Sequence, residues 1–182
     1  MNTYDYIKEK INGMKAQYPS LRDKTDDYIF SALCIKANFY KSPALVLHEE
    51  DFAEMIADGR ADGGADILLT DPNSEGSDLV IGQSKFYKTI SSEQVINAMY
   101  KMADFYNDMT AGHYERFNEQ VRSRFHKLYD ELGNELKVHF VFYKTHGINL
   151  LSLNLRYHIN SGKFFNCQWW PNELCASQKR TH

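Results

Sequence analysis

The 182-residue chain has no run of 18 or more apolar residues, so no membrane-spanning helix is read in it. Its first residues, Met1-Asn2-Thr3-Tyr4-Asp5-Tyr6, carry neither a basic segment nor an apolar one, so no secretory signal is read. Cysteine is scarce: Cys34, Cys167 and Cys175 are odd in number and never spaced CxxC. That excludes a dense disulfide framework, argues against a structural zinc site and suits a reducing cytoplasm. The seven histidines are scattered with no HExxH pair. A net charge of −3 does not announce a nucleic-acid partner, although a small basic cleft escapes a whole-chain sum. The segment 116–127 is locally basic, with Arg116, Arg122, Arg124 and Lys127.

What is present is enough for a core. With 43% hydrophobic and 14% aromatic residues the chain is expected to fold as one domain, over about 1–160. A tail, 161–182, holds Phe164-Phe165 and Trp169-Trp170-Pro171 without a clear period. Two readings of it stand: a segment folded back on the body, or the unfinished interface of a longer protein of which this chain is the front part.

Periodicity predicts a helix from about Thr3 to Tyr18, broken by Pro19, and a second from about Thr25 to Tyr40, with Thr25 as cap and Asp26 and Asp27 at its positive end. Ala44 to His48 is a short strand or the entry to a helix over Glu49 to Ala57. Two apolar strands follow, Ala65 to Thr70 and Leu79 to Phe86, joined by a polar loop. Ser91-x-x-Gln94 forms a capping box for a helix whose Val95, Met99, Met102, Ala103 and Tyr106 face a core. A further helix is expected from Tyr114 to Leu132, ended by Gly133, and a central strand over Lys137 to Tyr143.

The chemistry lies in Asp62-Gly63-Gly64-Ala65-Asp66, at the start of the first strand, and in Gln83-Ser84-Lys85 at the end of the second. Residues two apart on a strand share a face, so Gln83 and Lys85 point together and Ser84 points away. Mg²⁺ takes oxygen ligands and one or two carboxylates. Asp66 supplies a carboxylate, Gln83 an amide oxygen and Ser84 a backbone carbonyl, while Lys85 is placed to orient a water or stabilise developing charge. Each piece alone is weak: Asp-Gly is an ordinary turn, and a lysine at a strand end is usually solvated. It is the combination, spaced by an apolar run, a polar loop and a second apolar run, that carries the reading.

This pattern resembles the PD-(D/E)xK nuclease superfamily in its Mrr-like form, where Gln replaces the second acid. Within it the chain looks most like the N-terminal domain of abortive-infection phage resistance (AIPR) proteins. The resemblance is sharp over 57–86, looser over the following helix and the Lys137 strand, and absent after about Gly147. It implies an α/β fold with a restriction-endonuclease-like αβββαβ core, a mixed central sheet flanked by helices. Its first strand falls somewhere between Leu45 and Ala61. It also implies a Mg²⁺- or Mn²⁺-dependent endonuclease that cuts DNA, with RNA the other nucleic-acid partner, leaves a 3′-hydroxyl and serves anti-phage defence. Asp66, Gln83 and Lys85 match the catalytic positions, and Asp66, Gln83 and the Ser84 carbonyl the metal site. Asp27 or Glu50 competes to complete it, with Asp26 and Glu54 behind them. Asp62 is expected to shape the turn, and Tyr87 and Lys88 to touch a phosphate backbone. Homodimerisation is an expectation by analogy. The alternative function is a nuclease-fold module with weak or lost catalysis that binds nucleic acid or a partner protein.

Overall fold

A computed structural model describes residues 2–57, 59–74, 78–132, 137–145 and 155–158. Helix α1 spans Thr3–Gln17 and is capped by Asn2, whose side chain accepts from the Asp5 N–H. A 3-10 turn over Pro19–Leu21 leads to α2, Asp26–Phe39, capped by Thr25 as its sequence predicts. A short α3, Asp51–Met55, replaces the longer helix expected over 49–57, and no strand forms over 44–48.

Strands β1, Ile67–Thr70, and β2, Asp78–Lys85, pair antiparallel. Helix α4, Ser92–Ala111, begins with the Ser91–Gln94 capping box and ends at Gly112 in the left-handed region, φ 83°. Helix α5, Glu119–Leu132, starts five residues later than the Tyr114 its sequence suggests. The reason is local: Asn118 Oδ1 accepts the Val121 N–H at 2.9 Å and so acts as N-cap, while Tyr114 to Phe117 form a turn. Strand β3, Lys137–Lys144, lies parallel to β2, and β4, Leu155–His158, pairs antiparallel on its far side.

The chain is therefore mixed α/β, with a four-stranded sheet in the order β1-β2-β3-β4. The first strand expected between Leu45 and Ala61 is reduced to a single antiparallel bridge, Ile56↔Ile67, extended by the Ala57 N–H donating to the Asp66 carbonyl at 2.9 Å. β4 falls where no strand was expected, and the tail beyond it lies outside the described residues.

Alternation along the strands splits the core into two layers. Leu68, Leu79, Ile81, Val138, Phe140 and Phe142 face α4 and α5, against Met99, Met102, Phe105 and Phe125. Ile67, Leu69, Val80, Val141 and Tyr143 face α1 and α2, against Ile11, Ile29 and Ile35. β2 and β3 are nearly continuous in burial because both their faces are covered and each has a strand on either side. The methionines of α4 are core, as their spacing suggests.

Candidate active site

The site forms where the loop before β1 meets the last residues of β2. Asp66 immediately precedes β1, and the register Ile67↔Gly82 sets it opposite Gln83. Parity along the pleat puts Asp66, Gln83 and Lys85 on the α4 face, in line with Leu68, Leu79 and Ile81. Ser84 points the other way, and its hydroxyl meets that of Ser31 on α2 at 2.6 Å.

Asp66 is 8% exposed and Gln83 7%. Asp66 Oδ2 accepts the Ser84 N–H at 3.0 Å and lies 3.4 Å from Lys85 Nζ. Among the described residues no hydrogen bond reaches Oδ1. Burial pushes the Asp66 carboxyl up to about 6, helped by the nearby Asp62 charge and opposed by Lys85 and the Ser84 N–H. A buried carboxylate with one oxygen anchored and, among the described residues, no donor on the other, beside an amide, is a hard-oxygen donor set of the kind a divalent cation takes. Among the described residues no group of three or more His, Cys, Asp and Glu side chains gathers.

The Gly63-Gly64 turn holds this arrangement together. Both glycines adopt positive φ, 70° and 80°. A Cβ on Gly63 would lie 2.5 Å from Phe105 Cδ2, and one on Gly64 would lie 3.0 Å from Lys101 Cδ and 3.3 Å from Gln83 Nε2. The turn thus packs its backbone directly against Gln83 and the stem of Lys101. Asp62 shapes it, as its position suggested: Oδ1 accepts the Gly64 N–H at 2.7 Å and sits 4.0 Å from Lys101 Nζ.

The four candidate helix acids separate by geometry. Asp27 Oδ1 accepts the Phe86 N–H at 3.2 Å, which brings this carboxylate to the end of β2, one residue past Lys85. Glu50 is exposed at the start of α3, with no recorded contact to Asp66, Gln83 or Lys85 among the described residues. Asp26 pairs with Lys8 and Lys15 on α1, and its carboxyl is held below the ordinary range by those lysines. Glu54 pairs with Arg124 at 3.4 Å and Lys127 at 3.8 Å on α5.

Those two pairs also account for much of the basic segment 116–127. Arg116 pairs with Asp108, and Arg122 lies over the Tyr114 ring. Of the residues after the motif, Tyr87 is 49% exposed and Lys88 sits over the Tyr4 ring, which in turn stacks on Phe86. Two clefts of about 260 and 270 Å³ adjoin Ile56 and Gln120, the first reaching Asp23 to Tyr28 at the start of α2 and the second lying between α3 and α5; neither is lined by Asp66, Gln83 or Lys85. The chemistry of the donor set, not cleft volume, marks the site.

Three contributors escaped the sequence reading. Ser31 anchors Ser84 from α2, Lys101 reaches the turn from α4, and Lys144 ends β3 directly beside Lys85. Lys144 carried a signal, since it shares parity with Phe140 and Phe142, but its neighbour was unknown without the strand register.

No family model, no curated protein and no solved structure matches the chain.

Proposed function

We propose that the chain is a metal-dependent phosphodiesterase with a restriction-endonuclease-like core, an endonuclease that cuts DNA in defence against phage. The observation that carries this reading is the juxtaposition of buried Asp66 and Gln83 on paired strands, with Lys85 Nζ 3.4 Å from the Asp66 carboxylate. The fold supports it. An antiparallel β1-β2 pair, helices α4 and α5 and a parallel β3 are compatible with the αβββαβ core, with two helices where that core has one and the Ile56 bridge taken as its first strand.

In this reading Asp66 Oδ1, the Gln83 amide oxygen and the Ser84 carbonyl would hold Mg²⁺ or Mn²⁺, and Asp27, which accepts the Phe86 N–H at the end of β2, is the helix acid proposed to complete the set. Such an ion would supply Lewis-acid polarisation of the phosphodiester and lower the pKa of a bound water. The Ser84 N–H fixes the carboxylate through Oδ2, so that Oδ1 keeps one orientation. Lys85, about one-third exposed, serves both the buried acid and an incoming phosphate. Its ammonium orients the attacking water and offsets the charge that grows on the phosphoryl oxygens. Gln83 in place of an acid leaves the site one negative charge poorer, so a weak metal affinity is expected.

A supercoiled plasmid incubated with Mg²⁺, Mn²⁺ or EDTA tests the reading, wild type beside Asp66→Ala. Metal-dependent nicking or linearisation that Asp66→Ala abolishes supports it. Equal inertness of both proteins with every metal sinks the catalytic reading and leaves the binding-module account.

A further inference from the structure

The parallel pairing of β2 and β3 sets Lys85 and Lys144 in direct register. Residues in register on neighbouring strands stand about 5 Å apart and present their side chains to the same face. Here that face is the α4 side, because Lys144 follows Phe140 and Phe142 in parity, and both belong to the core beneath α4. Two lysines are therefore rooted side by side on fixed backbone at the ends of β2 and β3, with the Lys85 ammonium turned toward Asp66 on the β1 side. Like charges in register are unfavourable unless something between them is negative. For Lys85 that partner is Asp66. For Lys144 no carboxylate lies within ion-pair distance among the described residues, although its side chain is half-buried and so constrained in direction.

Lys101 adds a third cation on the same side. Its stem packs against Gly64 beside Gln83, and its ammonium is mostly exposed, only 4.0 Å from Asp62. Lys85 and Lys101 thus stand beside the buried Asp66–Gln83 pair, and Lys144 lies one strand further across the sheet, in register with Lys85. Cations drawn from β2, α4 and β3 and spread across the sheet match a chain of phosphates better than a single small anion.

We infer that Lys144 binds the nucleic-acid backbone at a phosphate next to the one facing Lys85, so that the two in-register lysines set the path of the strand across the ends of β2 and β3. This rests on the phosphodiesterase reading above and adds a substrate-binding residue to it. Lys144 acts on binding and strand placement, and Lys85 on the chemistry.

The test is duplex DNA binding in EDTA, where no cleavage occurs, measured across a salt series for wild type, Lys144→Gln, Lys144→Arg and the control Lys10→Gln on α1, across the sheet. A lost phosphate contact reduces the slope of log affinity against log salt by about 0.9, which is about 3.5-fold less affinity lost between roughly 50 and 200 mM salt. The expected result is that reduction in Lys144→Gln, its recovery in Lys144→Arg, and no change in Lys10→Gln, with unchanged thermal melts. An unchanged slope in Lys144→Gln, or wild-type protein with no salt-dependent DNA binding, overturns the inference. Plasmid cleavage run in parallel separates the two claims. Normal metal-dependent cleavage with an unchanged slope rejects the role of Lys144 and leaves the phosphodiesterase reading standing. Absent cleavage with a reduced slope does the reverse.

Discussion

The ammonium of Lys85 lies 3.4 Å from Oδ2 of Asp66, the same oxygen that accepts the Ser84 N–H. One carboxylate oxygen thus carries both local contacts, while burial raises the cost of the charge they stabilise. From this pairing follow expectations about stability, titration and catalysis.

Asp66→Asn is expected to stabilise the fold in a pH-dependent way. The folded carboxyl titrates at about 6 against an ordinary 3.8, so its proton is held more tightly in the folded state. The contribution to stability is complete below about pH 4 and is lost as pH rises through 6, with a span on the order of 2–3 kcal/mol. Asparagine does not titrate. The gap between variant and wild-type melting temperatures, followed from pH 5 to 8, should therefore widen in favour of the variant. A gap that stays flat contradicts the raised carboxyl.

Lys85→Met removes the cation that opposes the burial of Asp66. The Asp66 carboxyl should then titrate above 6, as read from its side-chain ¹³C shift. DNA cleavage should fall by roughly 10²-fold or more, the usual loss when a charge-stabilising donor is removed. Titration at or below the wild-type position argues that the ion pair is not the opposing influence.

Gly63→Ala and Gly64→Ala should differ in kind. Both strain a left-handed backbone, at roughly 1–2 kcal/mol each. The Gly63 Cβ also drives into the Phe105 ring, so that variant should lose a further 1–3 kcal/mol or so by urea denaturation. The Gly64 Cβ instead presses on Gln83 and Lys101, whose flexible ends can shift. Its larger effect is expected on Mn²⁺ affinity, by calorimetry, than on stability. Equal stability losses in the two variants would deny the turn its asymmetric packing.

Ser31→Ala leaves the buried Ser84 hydroxyl without its partner, at a cost of about 1–3 kcal/mol, whereas in Ser84→Ala the Ser31 hydroxyl still donates to the Asp27 carbonyl at 3.2 Å and the loss should be smaller. The double variant should cost less than the two singles added together, because the Ser84 hydroxyl is then not left unpaired. Strict additivity in a denaturation cycle would mean that the two hydroxyls do not support one another.

Strands β1, β2 and β3, the helix caps at Thr25 and Ser91 and the acid–amide–lysine spacing were legible in the sequence because each is written in nearby residues. Thr25 and the Ser91–Gln94 box mark helix starts through side-chain contacts three residues away. The parity of Gln83 and Lys85 follows from a two-residue period. The late start of α5 follows the same local logic: the capping residue Asn118 lies inside the range read as helix, and its side chain decides where the helix begins. The choice among Asp26, Asp27, Glu50 and Glu54 was not legible, since all four are acids near helix starts. Asp27 is set apart by the Phe86 N–H, 59 residues away, and Asp26 and Glu54 by lysines and an arginine on other helices.

By itself, then, the sequence determined which residues share a strand face and where most helices begin, because those depend on backbone periods and contacts a few residues long. The tertiary structure alone decided the parallel register that sets Lys144 beside Lys85, and the reduction of the first strand to one bridge at Ile56. It also decided the depth that raises the Asp66 carboxyl. Register across a crossover and burial from solvent arise only when segments far apart in the chain compete for the same neighbours, and no local pattern encodes the outcome.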